Sequence, residues 1–150
     1  MIDDLDRRLV AELARDARLT SAELSRRLGV SDTTVRRRIR RLQRDGTITS
    51  TVVPDAAKLG YSLVALIALQ VELGSIDEIA QSLVAYPNIR YVADCTGTHD
   101  MLIGAWFRSP HELSRFVKDH LARMPGIRRS ETFLVLDVKK NETGWLQKLH

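Results

Sequence analysis

Residues 30–44 read VSDTTVRRRIRRLQR, with six arginines in the nine positions from 36 to 44. A run this charged folds as a helix only if its other residues supply a buried stripe, and Val35, Ile39 and Leu42 do so. At about 100° of turn per residue, Ile39 and Leu42 lie within about 40° of Val35. Thr33, Arg37, Arg40, Arg41 and Arg44 then cover the opposite half, and Arg36 and Arg38 flank the buried edge. Ser31 suits the N-cap and Gly46 the stop. Like charges three and four positions apart repel by roughly a few tenths of a kcal/mol per pair. Only Asp32 and Asp45 stand close enough in sequence to offset Arg37, Arg40, Arg41 and Arg44. Such a helix fits an anionic partner.

The residues before it fit the same plan. Ile2, Leu5, Leu9 and Leu13 recur at helical spacing, with Asp3, Asp4 and Asp6 at the positive end of the dipole, which predicts a first helix over residues 3–15. Thr20-Ser21-Ala22-Glu23 reads as a capping box, and Leu24 and Leu28 give a short second helix that Gly29 ends. Two short helices separated by Gly29-Val30-Ser31 match the helix-turn-helix unit, with the arginine helix in the recognition position. In a DNA major groove its first part, Ser31, Asp32, Thr33, Thr34, Arg36 and Arg37, lies nearest the base edges. Arg38, Arg40, Arg41 and Arg44 reach towards phosphates. Residues 1–50 hold twelve arginines, no lysine and eight acidic residues, whereas residues 51–150 are electrically balanced, so the whole net charge of +4 belongs to this segment. A basic head on a neutral body points to a polyanion, and together with the helix-turn-helix it makes double-stranded DNA the expected partner.

Gly46 to Val53, rich in Thr and Val, predicts a strand or strand-like linker before Pro54. The composition sets a DNA-binding domain at 1–50, a linker at 51–60 and a second domain at 61–150. That second domain uses one unit twice. Ser75-Ile76-Asp77-Glu78 and Ser109-Pro110-His111-Glu112 both read as capping boxes. The helices they open run to Tyr86-Pro87-Asn88-Ile89 and to Met124-Pro125-Gly126-Ile127, and apolar runs at 61–73 and 100–107 precede them. The order is βαββαβ, a ferredoxin-like split βαβ fold, which makes the chain α+β overall. Both alternating sets of side chains are apolar in LVALIALQV and DMLIGAWF, as in the last strand, where Leu134 and Leu136 alternate with Phe133 and Val135. Helices on one face leave the other uncovered, and a second copy of the chain is the expected cover. Two arginine helices then address a roughly palindromic site.

The pattern resembles the Lrp/AsnC, or feast/famine, family of transcription regulators. The resemblance rests on Leu5-Asp6, on Glu23-Leu24 through Leu28-Gly29-Val30-Ser31, and on Arg38-Ile39-Arg40-Arg41-Leu42 with Gly46 and Ile48. It rests further on Thr96-Gly97-Thr98-His99-Asp100 and on Met124-Pro125-Gly126-Ile127 followed by Thr132. It implies a RAM-type C-terminal domain, a homodimer that assembles into tetramers or octamers, and a small effector, commonly an amino acid. It also places the effector near the hairpin carrying Gly97, Thr98, His99 and Asp100. On chemistry alone, a glycine turn offers N–H groups to a carboxylate and Asp100 can accept from an ammonium group, with Arg128, Arg129, Ser130 and Thr132 as the opposite wall. Without a ligand, Gly97 would simply supply a positive φ and Asp100 fix the turn. The position before the aspartate is often aromatic in the family and is His99 in this chain.

Other classes have less support. Cys95, His99, His111 and His120 form no nucleophile, base and orienter set, so no enzyme and no cofactor are expected. The strands that would stack RNA bases carry mostly aliphatic residues. An effector-independent architectural DNA-binding protein is the reading that stays open beside a ligand-responsive regulator. The single Cys95 excludes a disulfide scaffold, and no apolar run is long enough for a membrane helix, so a cytoplasmic protein is expected.

Overall fold

The computed structural model describes residues 1–139; the end of the second domain, expected at 150, lies outside the described residues. The chain divides into two compact units, Met1–Val52 and Val53–His150.

The first unit has three helices, α1 (Asp4–Arg15), α2 (Ser21–Leu28) and α3 (Asp32–Arg44). Asp3 caps α1 by a reciprocal pair of bonds: the Asp6 N–H donates to Asp3 Oδ1 at 2.9 Å and the Asp3 N–H to Asp6 Oδ2 at 3.1 Å. Thr20 and Glu23 make the expected box on α2, and Ser31 caps α3 by accepting from the Thr34 N–H at 3.2 Å. The corner between α2 and α3 turns on Gly29 at φ +69°, a conformation open to a residue without Cβ. Leu9, Leu24, Leu28, Val35 and Leu42 form the buried core.

Gly46 to Val53 does not form a strand. Asp45 Oδ1 accepts from the Thr47 N–H and the Ile48 N–H donates to Leu42 O at 3.0 Å, which folds the start of the segment back onto α3. Val52 and Val53 are exposed and pair with no sheet. β-propensity describes how side chains fit a pleated surface, and no neighbouring strand supplies that surface here.

The second unit is a four-stranded antiparallel sheet in the order β2-β3-β1-β4, with β1 at Leu63–Val71, β2 at Ile89–Asp94, β3 at Met101–Phe107 and β4 at Ile127–Leu134. Helix α4 (Ile76–Val84) and helix α5 (Pro110–Arg115) carry the two crossovers. A π-helical turn at Phe116–His120 and a 3-10 turn at Leu121–Arg123 continue α5. Ala65, Ile67, Leu69 and Val71 of β1 and Met101, Ile103, Ala105 and Phe107 of β3 are buried with Ile79, Leu83, Phe116 and Leu121 from the helical segments. The opposite sheet face carries Leu66, Leu102 and Phe133, which are 37%, 39% and 48% exposed, so the second apolar face is open in the single chain. Leu136 falls beyond the end of β4 and is exposed.

One capping box does not form and another forms by half. Ser75 makes no side-chain cap to α4. Its side chain lies against Gly126, where a Cβ would stand 2.6 Å from Ser75 Cβ and Oγ, and residues 73–75 close a 3-10 turn instead. Ser109 Oγ does accept from the Glu112 N–H at 3.2 Å, but Glu112 Oε2 takes the N–H of Arg108, one residue before the cap.

Candidate nucleic-acid interface and effector hairpin

The six arginines of α3 divide into two populations. Arg38 and Arg41 lie on one flank of the helix and turn inward to Asp6, whose residue exposure is 0%. Arg38 Nη1 stands 2.8 Å from Asp6 Oδ1 and 2.6 Å from both Asp3 oxygens, while Arg41 Nη2 binds Asp6 Oδ2. Burial alone would raise the Asp6 pKa; the Asp3 N–H, Arg38 and Arg41 outweigh it and hold the carboxyl well below the usual carboxylate range. Arg36 pairs with Asp32 at 2.7 Å along the helix. Arg37, Arg40 and Arg44 are exposed and have no acidic partner among the described residues. Asp32, Thr33 and the six arginines line a concavity of about 720 Å³, and among them Arg41 has a buried Nε without a hydrogen bond. Ser31 and Thr34 hydroxyls lie 2.8 Å apart and are engaged at the cap.

Asp6 was not among the residues singled out by spacing. The signal is present nonetheless: Ile2, Asp6, Leu9 and Leu13 share one helical face, so Asp6 interrupts an apolar stripe. A carboxylate at such a position has to find cations, and those across from it are Arg38 and Arg41.

The hairpin between β2 and β3 is tied to the end of β1. Gly97 has φ +120°, and the Cys95 N–H donates to Asp100 O at 2.9 Å. The Asp100 N–H donates to Leu69 O at 2.8 Å, and Asp100 Oδ2 accepts the Val71 N–H at 2.8 Å. Gln70 Nε2 donates to Thr98 O at 2.7 Å, and Arg128 Nη2 to Val71 O at 3.0 Å. Across the open sheet face, His99 Nε2 lies 3.2 Å from Glu131 Oε2. Burial, and then the Asp100 and Asp94 carboxylates, push the Cys95 thiol pKa up, which leaves it a poor nucleophile.

Within one chain the structure brings Gly97, Thr98, His99 and Asp100 together with Gln70, Glu131 and the Arg128 side chain. It does not bring Ser130 and Thr132 to them. These two pair with Leu69 and Ile67 and so point to the helix-bearing side, whereas Glu131, opposite Ala68, stands on the side of His99. The alternation of β4 makes Glu131 the polar neighbour of His99.

A helix-turn-helix head joined to a ferredoxin-like domain points to a class, the DNA-binding transcription regulators, and comparison with known proteins makes the family plain. Residues 2–49 match the family model described as winged helix-turn-helix DNA-binding, and residues 64–145 match the Lrp/AsnC ligand binding domain. The chain belongs to the Lrp/AsnC family of transcriptional regulators. It is 34% identical over 146 residues to the HTH-type transcriptional regulator FL11 of Pyrococcus furiosus, with 95% of each chain covered. Its fold is that of E. coli AsnC, with a TM-score of 0.86 at 24% identity over 94% of this chain and 96% of that one. A transcriptional regulator of Neisseria meningitidis in complex with L-Met superposes with a TM-score of 0.88 at 25% identity, with 95% of each chain covered. Among the described residues no helix is long and apolar enough to cross a membrane.

Proposed function

We propose that this regulator binds double-stranded DNA sequence-specifically through α3 and that a small effector such as an amino acid, held at the Gly97–Asp100 hairpin, modulates it. The observation that carries the reading is the division of the arginines. Asp6 fixes Arg38 and Arg41 at the base of the helix, which presents Arg37, Arg40 and Arg44 outward in set directions. Arg37, with Thr33, is the base-reading end, and Arg40 and Arg44 hold phosphates. At the hairpin, Gln70, Arg128 and Glu131 join Gly97 to Asp100 as the polar surround. Glu131 and His99 offer a carboxylate and an imidazole to a zwitterion, and the L-Met held by the Neisseria relative supports an amino acid as the class. The functional unit is a homodimer closed by the open sheet face, with tetramers or octamers built from it.

Selection of bound sequences from random DNA, with and without each of the twenty amino acids, tests both halves. A roughly palindromic consensus whose affinity changes with one amino acid is the expected result. Binding without a consensus would overturn sequence specificity, and a consensus indifferent to every amino acid would leave an architectural or effector-independent protein.

A further inference from the structure

The end of the sheet away from the hairpin holds a cleft that the regulatory reading does not use. β3 runs from Met101 beside the hairpin to Phe107, roughly 20 Å at about 3.4 Å per residue. At that far end, where β1 and β2 begin, a cavity of about 360 Å³ opens between Tyr61, Tyr86, Arg108, Glu112, Phe116 and His120. The volume lies in the range of small-molecule sites.

The cleft wall is aromatic and polar in separate places. Tyr86, Phe116 and His120 form one ring cluster, with centroids 5.4 Å apart for Tyr86 and Phe116 and 5.0 Å for Tyr86 and His120. The Tyr86 hydroxyl and His120 Nδ1 lie 3.0 Å apart. Phe116 and His120 begin and end the π-helical turn, and π-turns inside helices are frequent at functional sites. Facing them, the Arg108 guanidinium stacks 5.0 Å over the Tyr61 ring, which fixes its plane while leaving its N–H edge without a carboxylate partner among the described residues. Glu112 is already engaged by the Arg108 N–H, and Arg115 by Asp119 at 3.9 Å.

We propose that this cleft is a second ligand site, separate from the hairpin, that takes a planar aromatic carboxylate. The ring lies against Tyr86, Phe116 and His120, and the carboxylate meets the N–H edge of Arg108.

Calorimetric titration of the full chain with benzoate and 4-hydroxybenzoate tests the site, with benzamide and cyclohexanecarboxylate as uncharged and non-aromatic controls. Both benzoates are expected to bind saturably, and each control at least about tenfold more weakly. Arg108→Gln is expected to weaken benzoate about tenfold or more, and Asp100→Asn to leave it unchanged. Absence of saturable heat with either benzoate overturns the proposal, as does loss of binding in Asp100→Asn with retention in Arg108→Gln. Should Arg108→Gln melt early, amide NMR shifts of the wild-type chain decide. Shifts centred on residues 86–88 and 108–120 support the cleft, and shifts centred on 97–100 overturn it.

Discussion

A carboxylate with no exposure to water survives only where donors replace its hydration, and Asp6 has three sets of them: the Asp3 N–H, Arg38 and Arg41. Removing the charge leaves Arg38 with Asp3 alone and strands the Arg41 guanidinium, whose buried Nε already lacks a bond. Asp6→Asn is expected to lower the stability of the N-terminal unit by about 3 kcal/mol, the low end for breaking a buried pair, because Arg38 and Arg41 retain partial access to water. The sign with pH follows from the lowered pKa. The folded carboxyl stays ionised where the unfolded one protonates, so its contribution is whole above about pH 4 and is lost as the pH falls below that value. Urea unfolding between about pH 2 and pH 7 should show this acid loss in the wild type and a flatter profile below about pH 4 in Asp6→Asn. Equal profiles would remove Asp6 from this role. The sequence marks Asp6 as a break in an apolar stripe, but the identity of its partners depends on how α1 packs against α3, which periodicity does not contain.

At the level of the element, α3 combines a fixed flank and a free one. Arg37→Ala is expected to relax sequence preference with a modest loss of affinity, because it sits at the proposed base-reading end. Arg44→Ala is expected to weaken all DNA roughly alike and to lower the salt slope by about one, as one phosphate contact disappears. Affinity measured at several salt concentrations on matched and scrambled sites separates the two, and wild-type affinity in both variants would displace α3 from the interface. Local rules foretold these helices well wherever a cap needs only its own residues, as at Thr20 and Ser31. They misread Ser75, where contact with Gly126 decides, and they leave Gly46 to Val53 between a strand and a strand-like linker, where a strand needs a partner that the fold does not place there. At the hairpin the turn itself was legible from Gly97 and Asp100. That Glu131, rather than Ser130 or Thr132, stands on the side of His99 within one chain was not, since it depends on which β4 residues stand opposite Ala68 and Leu69.

For the molecule as a whole, the sheet presents Leu66, Leu102 and Phe133 on its uncovered face, with Trp106 and Tyr91 beside them. The two-sided apolar strands foretold this face. Monomers rarely leave such a surface wet, and the proposed homodimer would remove it from solvent. Phe133→Asp is expected to shift sedimentation from dimer to monomer, with binding to a two-half-site DNA falling much more than binding to a single half-site. A wild-type chain that sediments as a monomer, or a variant that stays dimeric, would contradict this use of the face. Trp106 adds a consequence. Its ring lies under the Arg90 guanidinium at 4.8 Å and beside Tyr61 at 5.6 Å, at the border of the open face, and the sequence contains one other tryptophan, Trp145. With Trp145 replaced by phenylalanine, the indole emission reports on a single place in the fold. Its colour becomes an internal gauge of self-association, bluer as water leaves the face and redder on dilution, readable without a label and without DNA.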